Sequence, residues 1–288
     1  MLYIPGNNPG MIQHAPVFGA DSVLLDLEDA VALAEKDAAR RLTARLMEVL
    51  DFGDVIVTVR VNGADTPFFE RDLEEIVPLA PSAVRLPKCS SPEDLIRADE
   101  RMARIEERSG LPPRTVKLHA MLETARGVAR AEEIASACPR VTALTLGGQD
   151  LTADLGVAKT REGWELFAAR SRVALAAHAA GLEVFDTVWA DVNDNEGLLE
   201  ETRRVIGLGF TGKAAIHPGQ IPWIHRAFVP EDREIGRAAR IVAAAEAAEA
   251  EGRGVVALDG KMVDAPVVAR ARHVLDLARR AGKEVSVP

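Results

Sequence analysis

The sequence predicts an α/β fold, a (β/α)8 TIM barrel with a C-terminal helical extension. Three observations predict it. Short β-branched or Leu-rich runs alternate with amphipathic Ala/Glu/Arg segments, the pattern of βαβ units around a parallel sheet. Eight such units fit in about 220 residues, the arithmetic of a closed barrel. The loop after the first run, "PGNNPGM", is not the G-x-G-x-x-G that an open doubly wound sheet carries there.

Taken in order, the first four strands are "LYIP" (2–5), "SVLLDLE" (22–28), "DVIVTVRVN" (54–62) and "AVRLPK" (83–88). The next four are "VKLHAML" (116–122), "VTALTLGG" (141–148), "EVFDTVW" (183–189) and "GKAAIHP" (212–218). Helical patterns at 35–50, 91–109, 127–137, 161–180 and 196–208 separate most consecutive pairs. Residues 1–228 therefore read as the catalytic barrel. Beyond it, 231–251 is rich in Ala, Glu, Arg and Ile and reads as a long helix. "GRGVVALDGKMVDAP" and a last helix, 267–281, follow. A barrel does not need residues 229–288. They read as an arm that covers the site or packs on a neighbouring subunit.

Bulk properties exclude several classes. With 288 residues, 48% of them hydrophobic, the chain can bury a large core. A formal net charge of -9 disfavours non-specific nucleic-acid binding but permits a local basic pocket. Cys89 and Cys138 form no C-x-x-C pair, so no disulfide framework or zinc cluster is expected, and a reducing cytoplasm is the simplest compartment. "MLYIPGNNPG" has no basic n-region or long apolar h-region, and no apolar run approaches the roughly 18 residues of a membrane span.

In a barrel of this kind, chemistry sits at the carboxyl ends of the strands. Those ends present Asn7 and Asn8, Glu28 and Asp29, Arg60 and Asn62, and Arg85 and Lys88. They continue with Glu123, Gln149 and Asp150, Asp186 and Asp191, and His217. Strand ends are exposed and exposed residues are polar, which explains part of this. It does not explain Glu123 closing the apolar "LHAML", or Asp150 closing "LTLGGQ". Two carboxylates from neighbouring strands, with no thiol, suit Mg²⁺, which keeps waters or substrate oxygens in its shell. The competing reading is a pair of helix caps or salt-bridged acids. Gly147-Gly148 offers amides for a substrate carboxylate, or is an ordinary turn. Arg60 binds a carboxylate or steadies an enolate oxygen, or pairs with Glu28 or Asp29, or does both. In "DLEDAV", alternation sends Asp26 and Glu28 to one face. Glu28 and Asp29 are expected to orient Arg60, with one of them taking a substrate proton. Asp26, lying deeper, is expected to meet a buried cation or a backbone amide.

The ordered segments "YIPGNNPGM", "LLDLEDAV", "VRVN", "VRLPK", "LETARG", "GGQD", "FDTVWADVNDNEG", "GFTGKAAIHPGQI" and "VVALDGKMVDAPVV" resemble the citrate lyase β-subunit family. This is the CitE-like branch of the HpcH/HpaI aldolase superfamily, which includes malyl-CoA and citramalyl-CoA lyases. The resemblance runs almost end to end. It implies a Mg²⁺-dependent carbon–carbon lyase that cleaves a 3-hydroxy-acyl thioester, on coenzyme A or an acyl-carrier protein, into a 2-oxo acid such as oxaloacetate and an acetyl-type thioester. It implies a homotrimer or hexamer and, inside a citrate lyase complex, α and acyl-carrier subunits. By motif position, Glu123 and Asp150 match metal ligands and Arg60 a substrate-binding arginine. Gly148, Gln149 and Asp150 flank the substrate site. Asp264 matches an aspartate lent from the neighbouring subunit.

Two alternatives stay open. One is a class II metal-dependent aldolase for free hydroxy-oxo acids. That branch generally carries a histidine after the second strand, where this chain has Asp29, and lacks the long extension. The other is a non-catalytic subunit that binds a 2-oxo acid or a carrier.

Overall fold

The computed structural model describes residues 1–250, 252, 256–258 and 260–284, which fall in two compact units, Met1–Ile224 and His225–Pro288. Eight strands build the first unit: β1 (Leu2–Pro5), β2 (Ser22–Asp26), β3 (Ile56–Arg60), β4 (Ala83–Leu86), β5 (Lys117–Leu122), β6 (Val141–Leu146), β7 (Glu183–Asp186) and β8 (Gly212–Lys213). They pair in sequence order and in parallel. The residues after β8 return to β1: Tyr3 N–H donates to Ala215 C=O at 2.8 Å, and Ala215 N–H to Met1 C=O at 2.9 Å. These bonds pair the sheet's last strand region with its first, so the predicted closed barrel is the fold found.

The helices are α1 (Pro9–Gln13), α2 (Lys36–Val49), α3 (Phe69–Ile76), α4 (Pro92–Arg108), α5 (Ala125–Ala129), α6 (Ala131–Ala135), α7 (Gly148–Asp154), α8 (Trp164–Ala179), α9 (Asn195–Gly207) and α10 (Ile221–Phe228). Sequence periodicity located the long ones. It did not register α1, α3 or α7, which are too short for a convincing period, and it read the segment of α10 only as a turn into a helix. The predicted helix at 127–137 is two pieces, α5 and α6, broken at Arg130 (φ -106°, ψ 20°). β2 ends at Asp26, two residues earlier than predicted. The Asp26 carboxylate accepts the amides of Glu28 (2.9 Å) and Ala30 (3.3 Å), which pulls the backbone out of the sheet into a turn.

The core is aliphatic, with Leu24, Leu25, Val59, Leu118, Ala120 and Leu144 at most 1% exposed. Burial of such groups drives collapse at about 25 cal/mol per Å². Charges are also buried, and nearly all are paired. Lys213 on β8 donates to Asp186 and Glu201 (2.7 Å each) and to the Thr187 carbonyl (2.7 Å). Arg170 on α8 reaches the same two carboxylates at 2.8 and 2.9 Å. Burial pushes both acids up, but Lys213 and Arg170 outweigh it and hold them below the usual carboxylate range. The expected rim residue Asp186 is therefore a strut tying β7, β8, α8 and α9 together.

The second unit contains α11 (Asp232–Ala250), an antiparallel hairpin of β9 (Val256–Leu258) and β10 (Lys261–Val263), and α12 (Ala265–Arg280). Its own core includes Ile235, Ala239, Val242, Ala271 and Leu275. Residues 251, 253–255 and 259 of the predicted long helix and "GRGVVALDGKMVDAP" segment, and residues 285–288, lie outside the described residues.

Lys213→Met should destabilise the protein by roughly 3–5 kcal/mol in urea unfolding, because it leaves two buried carboxylates facing a single guanidinium. Arg45→Ala, which removes an exposed pair with Glu48, should change stability by less than about 1 kcal/mol. Equal effects would refute the assignment of the Lys213 network as a structural strut.

Candidate active site

A cavity of about 400 Å³ opens at the carboxyl ends of the barrel strands. Tyr3, Asp26, Asp29, Arg60, Met121, Gly148, Gln149, Asp150 and Thr187 contribute to its lining, together with aliphatic side chains such as Leu146 and Ile216. Each functional candidate sits on or just after a strand: Glu28 and Asp29 after β2, Arg60 ending β3, Lys88 after β4, Glu123 after β5, and Gln149 and Asp150 after β6.

Glu123 is fully buried. One carboxylate oxygen accepts the Lys88 amide at 2.8 Å; the other, Oε2, has no hydrogen-bond partner among the described residues. Lys88 reaches that position with φ +54°, a backbone conformation costly for a side chain with a Cβ. Gly147 makes room from the other side, since a Cβ there would lie 2.5 Å from both Cβ and Oε2 of Glu123. Burial pushes the Glu123 carboxyl up to about 8, reinforced by the nearby charge of Asp150. An unsatisfied buried oxygen beside a second carboxylate fits a hard divalent cation, which would satisfy the oxygen and offset the repulsion. No group of three or more His, Cys, Asp or Glu side chains converges as a metal site among the described residues. Glu123 and Asp150 are two carboxylates that would suit Mg²⁺, which commonly takes one or two from a protein.

Across the cavity, Arg60 is held by Asp26 in a two-point fork: Nε to Oδ1 at 2.7 Å and Nη2 to Oδ2 at 2.6 Å. Nη1 lies 3.1 Å from Glu28 Oε2. Asp26, expected to meet a buried cation or an amide, does both, and it is the main orienter of Arg60. Glu28 shares that task; Asp29 has no direct bond to Arg60. Lys88 Nζ bridges Glu28 (2.7 Å) and Asp29 (3.7 Å). Burial holds Glu28 above its ordinary range. Asp29 lies below its own, because the hydrogen bond with Glu28 and the charges of Lys88, Arg60 and Lys36 outweigh burial. Asp29 is thus the ionised acid facing the cavity.

The structure corrects the role given to the Gly147-Gly148 amides. Gly147 N–H donates to Leu122 C=O at 2.9 Å and Gly148 N–H to Thr187 Oγ1 at 3.0 Å, so Gly148 has no free amide to offer a substrate. The glycines supply space instead. A Cβ on Gly148 would lie 2.9–3.0 Å from Thr187 and Leu166. Gln149 and Asp150, in the first turn of α7, line the cavity, and the N-cap residue Gly147 supplies no side-chain cap to that turn.

Other strand-end candidates go elsewhere. Asn62 is clamped by Asp72, Asn8 caps α1, and Asp191 accepts from Asn193 N–H. His217 accepts from Gly219 N–H and stays exposed. Arg85 is fully buried rather than at the rim. Asp264, in the second unit, caps α12 by accepting Val267 N–H at 3.2 Å. Sequence reasoning left Tyr3, Thr187 and the Lys88 amide unassigned. No local signal marks the last two, while Tyr3, the chain's single tyrosine, ends up in the cavity lining.

The HpcH/HpaI aldolase/citrate lyase family profile matches residues 1–218. The chain is 41% identical to citrate lyase subunit beta of Leuconostoc mesenteroides subsp. cremoris, over 96% of this chain and 92% of that protein. It is 38% identical to a (3S)-malyl-CoA thioesterase of Cereibacter sphaeroides, again over 96% and 92%. Among solved structures, CitE of Mycobacterium tuberculosis in complex with magnesium, acetoacetate and coenzyme A superposes with a TM-score of 0.82. It is 35% identical, over 96% of this chain and 97% of that one.

A divalent cation held by Glu123 would make metal affinity and metal-free stability depend on pH in opposite senses. Its raised pKa contributes stability that is fully present below the ordinary 4.5 and lost as pH rises through about 8. Metal-free protein should therefore lose up to roughly 4 kcal/mol from this group between those limits, while Mg²⁺ affinity climbs through the same window. Both slopes should flatten in Glu123→Gln. Urea unfolding at pH 5 and 8, with Mg²⁺ titrations over the same range, checks this. Identical pH profiles in variant and wild type would refute it.

Proposed function

The chain belongs to the HpcH/HpaI aldolase/citrate lyase family, and from that premise we propose that it is a Mg²⁺-dependent carbon–carbon lyase. It cleaves a 3-hydroxy-acyl thioester of citryl, malyl or citramalyl type into a 2-oxo acid and an acetyl-type thioester. The observation that carries this reading is the unpartnered, buried Oε2 of Glu123 beside Asp150, opposite an oriented guanidinium.

Glu123 and Asp150 would hold Mg²⁺, which supplies Lewis-acid polarisation of the substrate's hydroxyl or oxo oxygen. The amides of Gln149 and Asp150 donate to a substrate carboxylate at the first turn of α7. Asp29, ionised and facing the cavity, takes the 3-hydroxyl proton, and Glu28 and Lys88 hold it in place. Loss of that proton collapses the C–O bond to a carbonyl, breaks the C–C bond and leaves a thioester enolate. Arg60 carries the enolate's charge through Nη1, the nitrogen it shares with Glu28. Asp264 returns a proton to the enolate carbon; its present bond to Val267 is a cap it gives up to do so. The extension packs on a neighbouring subunit of a homotrimer or hexamer and delivers Asp264 there, with coenzyme A or an acyl-carrier protein bearing the thioester. The extension's own groove, rimmed by Arg233, Arg237, Lys261 and Arg270 over apolar side chains, suits such contacts. No described helix is long and apolar enough to cross a membrane.

Incubation with Mg²⁺ and citryl-, malyl- or citramalyl-CoA should release a 2-oxo acid and acetyl- or another acyl-CoA. Glu123→Gln and Asp150→Asn should each slow release by roughly 100-fold or more while the fold persists. Release of free hydroxy acid and coenzyme A alone would indicate thioester hydrolysis and sink the lyase reading. Unchanged Mg²⁺ affinity in both variants would sink the metal assignment.

A further inference from the structure

Arg85 on β4 is a fully buried guanidinium without a counter-ion among the described residues. Its Nη1 donates to Tyr3 Oη at 2.8 Å, while Nε and Nη2 have no partner among the described residues. Its Cζ lies 5.9 Å from the Tyr3 ring centroid and 5.5 Å from that of Phe185. Arg40, Arg60, Arg140, Arg170 and Lys213, also buried, each hold at least one carboxylate. A buried guanidinium without a counter-ion costs stability that an apolar side chain of similar volume would not.

Tyr3 connects this charge to the cavity. Its ring lines the cavity, and Arg60 Cζ lies 5.5 Å from the ring centroid. Two guanidiniums thus lie over one ring, the first tied to acids and the second not. Asp26 and Glu28 neutralise much of the charge of Arg60. The other charged lining residues, Asp29 and Asp150, are acids. A fixed positive charge behind the wall, unscreened by solvent, would offset them for an anionic ligand. Its influence reaches β5, where His119 is held down to about 3 by burial and then by Arg85.

We propose that Arg85 is a positioning residue for the lyase reaction, resting on the function proposed above. It fixes Tyr3 under Arg60 and adds positive potential behind the cavity wall, where an anionic substrate binds and an enolate forms. Stability is given up in exchange.

The test uses the full chain, with oxalate and Mg²⁺ as a stable dianionic probe. Arg85→Met should melt at or above the wild-type temperature yet bind Mg²⁺–oxalate about tenfold or more weakly, as measured by calorimetry. Arg85→Lys, which keeps the charge, should stay within about threefold of wild type. A structural role alone would lower stability and binding together and would not be rescued by lysine. Because Tyr3 is the single tyrosine, 3-fluorotyrosine gives one ¹⁹F resonance, which should move in Arg85→Met and on adding Mg²⁺–oxalate. Arg85→Met binding within threefold of wild type would overturn the proposal. So would loss of stability in both Arg85 variants. If wild-type protein fails to bind Mg²⁺–oxalate, the lyase reading itself fails; an unmoved ¹⁹F resonance in Arg85→Met separately refutes the coupling of Arg85 to Tyr3.

Discussion

A carboxylate buried to zero exposure with one oxygen unsatisfied is the constraint around which the barrel mouth is arranged. Glu123 takes one hydrogen bond from a backbone that must enter the left-handed region to give it, at Lys88. It also needs a neighbour without a side chain, at Gly147. Both features are unfavourable or unexplained on stability grounds alone. They make sense if the free oxygen and Asp150 share a divalent cation whose binding energy offsets the desolvation of the acid.

The opposite wall solves a different problem with the same kinds of groups. Asp26, Glu28 and Asp29 crowd the end of β2, where their mutual repulsion would be unfavourable if nothing intervened. Arg60 and Lys88 intervene unequally. Asp26 is spent on the Arg60 fork, Glu28 is shared between Arg60 and Lys88, and Asp29 is left facing the cavity. One run of three acids thereby yields an orienter, a bridge and an ionised acid at the cavity. A further positive charge, Arg85, lies deeper and bonds Tyr3 in the cavity lining.

Much of this was legible beforehand. Eight apolar runs separated by helical segments gave the strand order and the end of the barrel that carries chemistry. Alternation placed Asp26 and Glu28 on one face, and both now contact Arg60. Acids closing apolar strands singled out Glu123 and Asp150 as a candidate metal pair, a reading the family resemblance also implied. The double glycine was misread as an amide donor, because a sequence does not show whether an amide is already taken. Here Leu122 and Thr187, the latter 39 residues downstream of Gly148, take both. Likewise Asp186 looked like a rim acid. Only the approach of Lys213 and Arg170 from other elements shows it to be a buried strut.

By itself, then, the sequence determined the fold class, the family and the residue types available to the site. Hydrophobic period and motif order are local properties of the chain, and they survive without coordinates. The tertiary structure decided which of those polar groups are spent. Whether Arg60 meets Asp26 or a ligand depends on distances of a few ångström between segments 34 residues apart. So does whether Glu123 keeps a free oxygen, and whether Arg85 finds a counter-ion. Electrostatic and hydrogen-bond energies vary steeply over such distances and with burial, and neither distance nor burial is fixed until the barrel has closed.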